Sequence, residues 1–118
     1  GEWTYNTEWK MVYSPPVTAS WVNAINSAQS KLMKKRENIA VPILVMHSSR
    51  KIEGCNYTPE FQTGDAVLDP SMIQKRGEHL GHARQVCAID SGLHDLILSS
   101  RKAREAAYDT IFSFIRKF

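Results

Sequence analysis

The sequence predicts an α/β fold in which two parallel strands are flanked by helices, in the order helix, strand, helix, strand, helix. Two short apolar runs have the length and composition of strands, and they alternate with three segments whose apolar residues recur at helical spacing. Strands that alternate with helices of this length form parallel sheets joined by right-handed crossovers. At 118 residues the chain has room for one domain. A parallel sheet of only two strands cannot bury both of its faces and both of its edges by itself.

The first helix is predicted over about residues 16–36. Ser14-Pro15-Pro16 is a helix-start signal, and the segment ends in a run of basic residues that suits the negative end of the helix dipole. Six apolar residues lie between these ends at helical spacing: Val17, Trp21, Ala24, Ile25, Ala28 and Leu32. The segment is therefore expected to form an amphipathic helix.

The first strand is predicted in the continuous apolar run Val41-Pro42-Ile43-Leu44-Val45-Met46. Such a run is typical of a strand that is covered on both faces in a parallel sheet, and the proline belongs at its start. Residues 48–64 show no period, and Asn56, Pro59 and Gly64 interrupt them. We therefore predict a loop that is longer than the usual connection, and such loops are more often functional.

The second half of the chain is predicted to contain a helix, a strand and a final helix. Asp69-Pro70 predicts an N-cap followed by the first helical residue, and this helix should stop near Gly81. The second strand is predicted at about residues 84–90, around Val86-Cys87-Ala88-Ile89. The last helix is predicted from about Arg101, and four of its residues form an apolar stripe: Tyr108, Ile111, Phe112 and Ile115.

Composition and charge argue against several classes of partner. The net charge is +3, but the basic clusters at residues 31–36 and 101–104 have no aromatic platform beside them, so we expect no nucleic-acid partner. No run approaches the roughly 20 apolar residues of a membrane span, so no integral membrane segment is expected. His79 and His82 have neither a cysteine nor a second ligand pair near them, so we expect no metal site and no cofactor.

Cysteine content and the amino terminus bear on the location of the protein. Two cysteines, Cys55 and Cys87, are too few for a disulfide scaffold, so reduced thiols are expected. The amino terminus carries acidic and aromatic residues rather than the basic and then apolar run of a signal peptide. These observations predict a cytoplasmic protein.

Two polar residues follow the ends of the predicted strands. His94, within Gly92-Leu93-His94-Asp95, comes after the second strand, and Asp65 comes after the loop that follows the first. Because catalytic groups in parallel α/β sheets gather beyond the carboxyl ends of the strands, we expect these side chains to meet. The Asp65 carboxylate would then accept the Nδ1 proton of His94 and leave Nε2 free to take a proton from a nucleophile. The sequence contains no G-x-S-x-G turn, the usual seat of a nucleophilic serine.

Four short sequence motifs follow one another along the chain. The first two are Pro16-Val17 to Trp21 with Ala24-Ile25, and Val41-Pro42-Ile43-Leu44-Val45-Met46-His47-Ser48. The last two are Gly64-Asp65-Ala66-Val67-Leu68-Asp69, and Gly92-Leu93-His94-Asp95-Leu96 with Leu98-Ser99. In their order and spacing they resemble the carboxyl-terminal part of α/β-hydrolase-fold serine hydrolases. The resemblance is closest to the lysophospholipase, monoacylglycerol lipase and serine aminopeptidase group, and it covers nearly the whole chain.

The resemblance implies that His94 is the base of a catalytic triad and Asp65 its acid. Residues 1–15 would end the lid segment, and residues 16–118 would be the carboxyl-terminal part of the hydrolase domain. The nucleophilic serine, its turn and the oxyanion hole would lie upstream, so this chain would be inactive alone. The implied substrate is a small-molecule ester or lipid, such as a lysophospholipid or a monoacylglycerol.

The triad acid stays open between Asp65 and Asp69. In the family the acid closely follows a His-Gly pair that closes the strand, whereas here no aspartate follows His47-Ser48 before residue 65. An insertion that displaces the acid explains the difference. We favour Asp65, because Asp69 has a competing role as the N-cap before Pro70.

An alternative interpretation makes the chain a non-catalytic interaction module. The open side of the strand at residues 41–46, where a complete sheet would continue, is an apolar unpaired edge of the kind that recruits another chain. This interpretation predicts a homo-oligomer that assembles through the strand edge or through exposed helix faces.

Overall fold

The computed structural model describes residues 6, 8, 9, 13 and 16–118. It contains the predicted elements in the predicted order: α1 (Ala19–Lys34), β1 (Ile43–Ser48), α2 (Pro70–Gly77), β2 (Arg84–Ile89) and α3 (Arg101–Ile115). Short 3-10 turns lie at Arg36–Asn38, Pro59–Gln62 and Leu96–Leu98. β1 and β2 form a two-stranded parallel sheet. The mixed α/β class, with helices around two parallel strands, is therefore confirmed.

The two strands pair in a register that aligns their carboxyl ends. Ser48, the last residue of β1, lies opposite Ile89, the last residue of β2. Beyond this pair the Ser49 N–H donates to Ile89 O at 2.9 Å, and at the other end the Ile43 N–H donates to Ala83 O at 2.8 Å. The two loops that carry the candidate residues therefore leave the sheet at the same level.

One edge of β1 has no strand beside it in the described part of the chain. In a parallel ladder, alternate residues of a strand bond to its neighbour. The donors of β1 that face β2 are the odd-numbered residues, beginning with Ile43. The backbone N–H and C=O groups of Leu44 and Met46 therefore point to the open edge.

Helices lie against both faces of the sheet. α2 lies against one face, where Gly77 approaches so closely that a Cβ there would stand 3.0 Å from Val45 Cγ1. α3 lies against the other face, and the buried apolar cluster on that side consists of Ile89, Leu96, Ala103 and Ala107, with Met46 packed against it. The core therefore sits between the sheet and the amino-terminal half of α3.

Several element boundaries differ from the predicted ones, among them the start of β1, which is Ile43 rather than Val41. α1 begins at Ala19 rather than near residue 16, because the hydroxyl of Thr18 caps the helix. β1 ends at Ser48 rather than at residue 46, because the pairing with β2 continues past the apolar run. α2 ends at Gly77 rather than near Gly81, because glycine is a poor helix former and ends the helix one turn earlier.

The apolar stripe of α1 lies on the surface of the described structure. No residue of α1 is buried, and Trp21 and Leu32 are among its exposed large side chains. A polar contact ties α1 to α2, because Arg76 Nη1 donates to Gln29 Oε1 at 2.6 Å. The predicted helix is thus confirmed, and the described residues leave its apolar face uncovered.

Several further expectations concern the chain as a whole. The lid segment predicted at residues 1–15 lies outside the described residues, apart from residues 6, 8, 9 and 13. No helix in the described ranges combines the length and the apolar character needed to cross a bilayer. Cys55 and Cys87 are both free thiols.

Candidate active site

A short backbone pairing holds Asp65 beside the segment that follows β1. The Asp65 N–H donates to Arg50 O at 3.0 Å, and the Ile52 N–H donates to Asp65 O at 2.8 Å. Gly64 makes this approach possible, because a Cβ there would stand 2.7 Å from Ile52 Cγ1 and 2.9 Å from Arg50 O. The long loop after β1 thus returns to the end of the strand and holds Asp65 there.

The carboxylate of Asp65 is buried and hydrogen-bonded at both oxygens. The residue is 1% exposed, and its Oδ1 accepts from the N–H groups of Val67 at 2.7 Å and Leu68 at 2.8 Å. Its Oδ2 lies 3.0 Å from Nδ1 of His94. Burial raises the pKa of this carboxyl, but the hydrogen bonds from Leu68, His94 and Val67 together hold the pKa below its ordinary value. Asp65 is therefore ionised at neutral pH.

His94 lies on the loop that follows β2. The turn begins with Ser91 in the left-handed region at φ 55°, and the Gly92 N–H then donates to Ile89 O at 3.2 Å. Leu96 packs on Gly92 so closely that its Cδ2 would stand 2.6 Å from a Cβ there. This tight turn reverses the chain after β2, so that His94 faces the buried carboxylate.

The contact between the two side chains determines where the imidazole carries its proton. Because the ionised carboxylate of Asp65 has no proton to donate, Nδ1 of His94 must carry the hydrogen. In the neutral ring the other nitrogen, Nε2, then has a free lone pair and can accept a proton. The His94 side chain is 43% exposed. The ring can therefore meet a reaction partner on the side away from Asp65.

An open groove borders His94 on the α3 side of the sheet. Its volume is about 480 Å³, and it is lined by Leu44, Met46, His94, Asp95, Leu96 and Ile111. Four of these side chains are apolar. A group that binds in the groove would therefore meet an apolar wall beside the exposed imidazole.

The structure shows which of the two candidate aspartates, Asp65 or Asp69, contacts His94. Asp69 is the N-cap of α2, where its Oδ1 accepts from the Ser71 hydroxyl at 2.7 Å and from the Ser71 N–H at 2.9 Å. These bonds from Ser71 hold the pKa of Asp69 below its ordinary value. Within residues 16–118 the aspartate that bonds to His94 is Asp65. The catalytic role of this pair stays a prediction.

The other histidines lie in different surroundings. His47 is buried near the end of β1, where its Nδ1 lies 2.7 Å from the carbonyl oxygen of Ser48. His79 and His82 are exposed. No group of three or more His, Cys, Asp or Glu side chains among the described residues is placed to hold a metal ion.

The groups that hold Asp65 and His94 in place are not among the residues predicted from the sequence. The amides of Val67 and Leu68 bind one carboxylate oxygen. Two buried serines, Ser48 and Ser99, bond to the main chain of the loops. A signal for the amides exists, because an aspartate in a turn bonds readily to backbone N–H groups a few residues on. The serines have no local signature, since their contacts depend on how the loops fold together.

Comparisons with known proteins identify no relative. No protein-family model matches the chain, and searches of the curated proteins and of the solved structures find no match. The chemistry of the site is therefore inferred from its own geometry and from the resemblance of its motifs.

We predict that replacing Asp65 by asparagine removes a stabilising contribution that depends on pH. The pKa of Asp65 in the folded protein lies below its unfolded value, so the carboxylate stabilises the fold fully above about pH 4 and progressively less as the pH falls through the folded pKa. Asp65→Asn should therefore be about 1–3 kcal/mol less stable than wild type at neutral pH. The difference should shrink below about pH 4.

Urea denaturation at neutral and acidic pH measures this difference. The matched control is Asp109→Asn, which changes an exposed aspartate on α3 and should change the free energy of unfolding by less than about 0.5 kcal/mol at neutral pH. A loss in Asp65→Asn that is the same at both pH values would contradict the prediction.

Proposed function

We propose that Asp65 and His94 are the acid and the base of a catalytic triad in a serine hydrolase of the α/β-hydrolase type. The observation that carries the proposal is the 3.0 Å hydrogen bond between His94 Nδ1 and Asp65 Oδ2, made to a carboxylate that two backbone amides already hold. An acid held in this way keeps the imidazole in one tautomer and one orientation. The sequence motifs that resemble the hydrolase family include both Asp65 and His94.

In the proposed reaction His94 acts first as a base and then as an acid. The serine hydroxyl attacks the carbonyl carbon of the ester while Nε2 of His94 takes its proton. The Asp65 carboxylate stabilises the imidazolium across the Nδ1 hydrogen bond. His94 then gives the proton to the leaving alkoxide, and an acyl-serine remains. A water molecule then attacks the acyl-serine while Nε2 of His94 takes its proton. His94 returns this proton to the serine oxygen as the acyl–oxygen bond breaks, which releases the carboxylic acid and restores the serine.

The serine would come from outside these 118 residues, because the sequence contains no G-x-S-x-G turn. The reaction also needs donors for the oxyanion, each of which contributes roughly 3–4 kcal/mol to transition-state stabilisation. In the family that the motifs resemble, these donors lie upstream together with the serine. We therefore expect the chain alone to be inactive.

Carboxylic esters of lipids are the proposed substrates. The choice of an ester rests on the resemblance to lysophospholipases and monoacylglycerol lipases. The groove beside His94 supports it, because Leu44, Met46 and Ile111 give the groove an apolar lining. An acyl chain that binds there would gain about 0.8 kcal/mol for each methylene group that it buries.

The proposal predicts the effect of two substitutions in the polypeptide that carries the serine. His94→Ala and Asp65→Asn should each lower kcat for a p-nitrophenyl ester, the second by about 10⁴-fold, because the ring then adopts the wrong tautomer. The matched control is Asp69→Asn, which alters only the N-cap of α2 and should change kcat by no more than about twofold.

Two results would contradict the proposal. An equal loss of kcat in Asp65→Asn and Asp69→Asn would show that Asp65 has no special role. Full activity of His94→Ala would show that His94 is not the base.

The chain alone should also stay unlabelled by a fluorophosphonate, which reacts with activated serines. Labelling of one of its own serines would show that the nucleophile does not lie outside it.

A second candidate function, that of a self-associating module, is favoured by the open edge of β1. The backbone groups of Leu44 and Met46 face this edge without a strand partner in the described part of the chain. Such an edge is a template for pairing with another chain. Apolar side chains on α1 and α3 are exposed as well, including Trp21 and Phe112.

This second candidate function predicts an oligomer whose size rises with protein concentration. Leu44→Pro should weaken the association, because proline removes an N–H at the open edge and none that bonds to β2. The matched control is Leu44→Ala, which shortens the same side chain, keeps the N–H and should associate as the wild type does. Light scattering after size-exclusion chromatography measures the mass, and a wild-type monomer at every concentration would exclude this function.

A further inference from the structure

Ser99 lies beneath the loop that carries His94, between the 3-10 turn Leu96–Leu98 and α3. The residue is 1% exposed, and its Oγ accepts from the Leu93 N–H at 2.9 Å. The same hydroxyl donates to Asp95 O over a longer distance of 3.3 Å. One buried hydroxyl therefore bonds to the main chain on both sides of His94.

The backbone around Ser99 is itself anchored. The Ser99 N–H donates to Leu96 O at 3.4 Å, and the Ser99 carbonyl accepts from Arg104 Nη1 at 3.3 Å. Asp95 is held as well, because its carbonyl accepts from the Leu98 N–H at 3.1 Å. The hydroxyl thus connects the loop to a segment that is fixed both by the 3-10 turn and by the first turn of α3.

The burial of this hydroxyl indicates positioning rather than packing. An alanine would occupy nearly the same space without the cost of removing a hydroxyl from water. The largest fully buried side chains among the described residues are Asp65, Ser48 and Ser99. Ser48 Oγ donates to Arg50 O at 2.9 Å, and this carbonyl also accepts from the Asp65 N–H. Polar burial is therefore concentrated around the two candidate side chains.

We propose that Ser99 is a positioning residue that holds His94 at hydrogen-bonding distance from Asp65; this inference rests on the function proposed above for that pair. Its bonds to residues 93 and 95 limit the backbone torsions around His94, and hence the direction of the Cα–Cβ bond. Without the hydroxyl, the Leu93 N–H loses its partner and the loop gains conformers. Nδ1 of His94 then spends less time against Asp65.

The test follows the Nδ1 proton of His94 by proton NMR in the full 118-residue chain. In the wild type this proton should give a downfield resonance that exchanges slowly with water, assigned by its absence from His94→Gln. Ser99→Ala should broaden or abolish the resonance, because exchange with water rises at least about tenfold when the loop opens. Ser99→Thr, which keeps the hydroxyl, should preserve it.

The matched control is Ser100→Ala. Ser100 is the neighbouring serine at the start of α3, it is exposed, and its side chain makes no capping hydrogen bond. Its substitution should leave the resonance unchanged. A Ser99→Ala protein that keeps both a dispersed amide spectrum and an unchanged Nδ1 resonance would overturn the proposal.

A second measurement needs no substitution and decides the case in which Ser99→Ala does not fold. In the wild-type chain the Leu93 N–H, bonded to Ser99 Oγ, should exchange with D₂O at least about tenfold more slowly than an unstructured amide. Exchange at the unstructured rate would show that the bond is not made and would overturn the proposal.

Absence of the Asp65–His94 pair, on which the proposed function depends, has a different signature from failure of this inference. If Asp65 and His94 are not paired, the wild type itself shows no protected Nδ1 resonance, and Asp65→Asn leaves the signals of His94 unchanged. If the pair forms without support from Ser99, the resonance is present in the wild type and survives in Ser99→Ala.

Discussion

A carboxylate buried at the carboxyl end of a sheet needs hydrogen-bond donors, and the candidate site is organised around supplying them to Asp65. Removing an ion from water costs several kcal/mol unless the protein replaces the lost contacts. The amides of Val67 and Leu68 bind one oxygen, and the ring of His94 binds the other. Because His94 lies 29 positions further along the chain, this contact joins the loops of both strands. The orientation of the imidazole is thus a consequence of satisfying a buried charge.

The parallel sheet makes this contact possible. Its register brings Ser48 and Ile89 to the same level, so the loops after β1 and β2 begin side by side. Two glycines then allow close approach: Gly64 lets the returning loop lie against the segment after β1, and Gly92 lets Leu96 lie against the turn after β2. The buried apolar cluster is small and lies under α3. Polar contacts in the loops therefore define the geometry of the site.

Short sequence patterns are enough to predict the order of the elements. Together with the geometry of a parallel sheet, they also predict the contact between Asp65 and His94. Helical and strand periods identify the elements, Asp69-Pro70 identifies a helix start, and parallel strands bring the loops that follow them to one edge. The contacts that refine the site are not local. Ser99 bonds to Leu93 only because the chain folds back after His94, so no periodic pattern reveals this contact. The hydrolase assignment depends on the resemblance of motifs and stays a proposal.

The position of the proton on the neutral ring of His94 decides whether the ring can act as a base, since only a neutral ring protonated at Nδ1 can take a proton at Nε2. Long-range ¹H–¹⁵N correlation spectra of the chain distinguish the two tautomers. We expect the Nδ1–H tautomer in the wild type and a shift towards the Nε2–H tautomer in Asp65→Asn, whose amide can donate to Nδ1. A wild-type ring protonated at Nε2, or equal tautomer populations in the two proteins, would show that Asp65 does not determine the tautomer of His94.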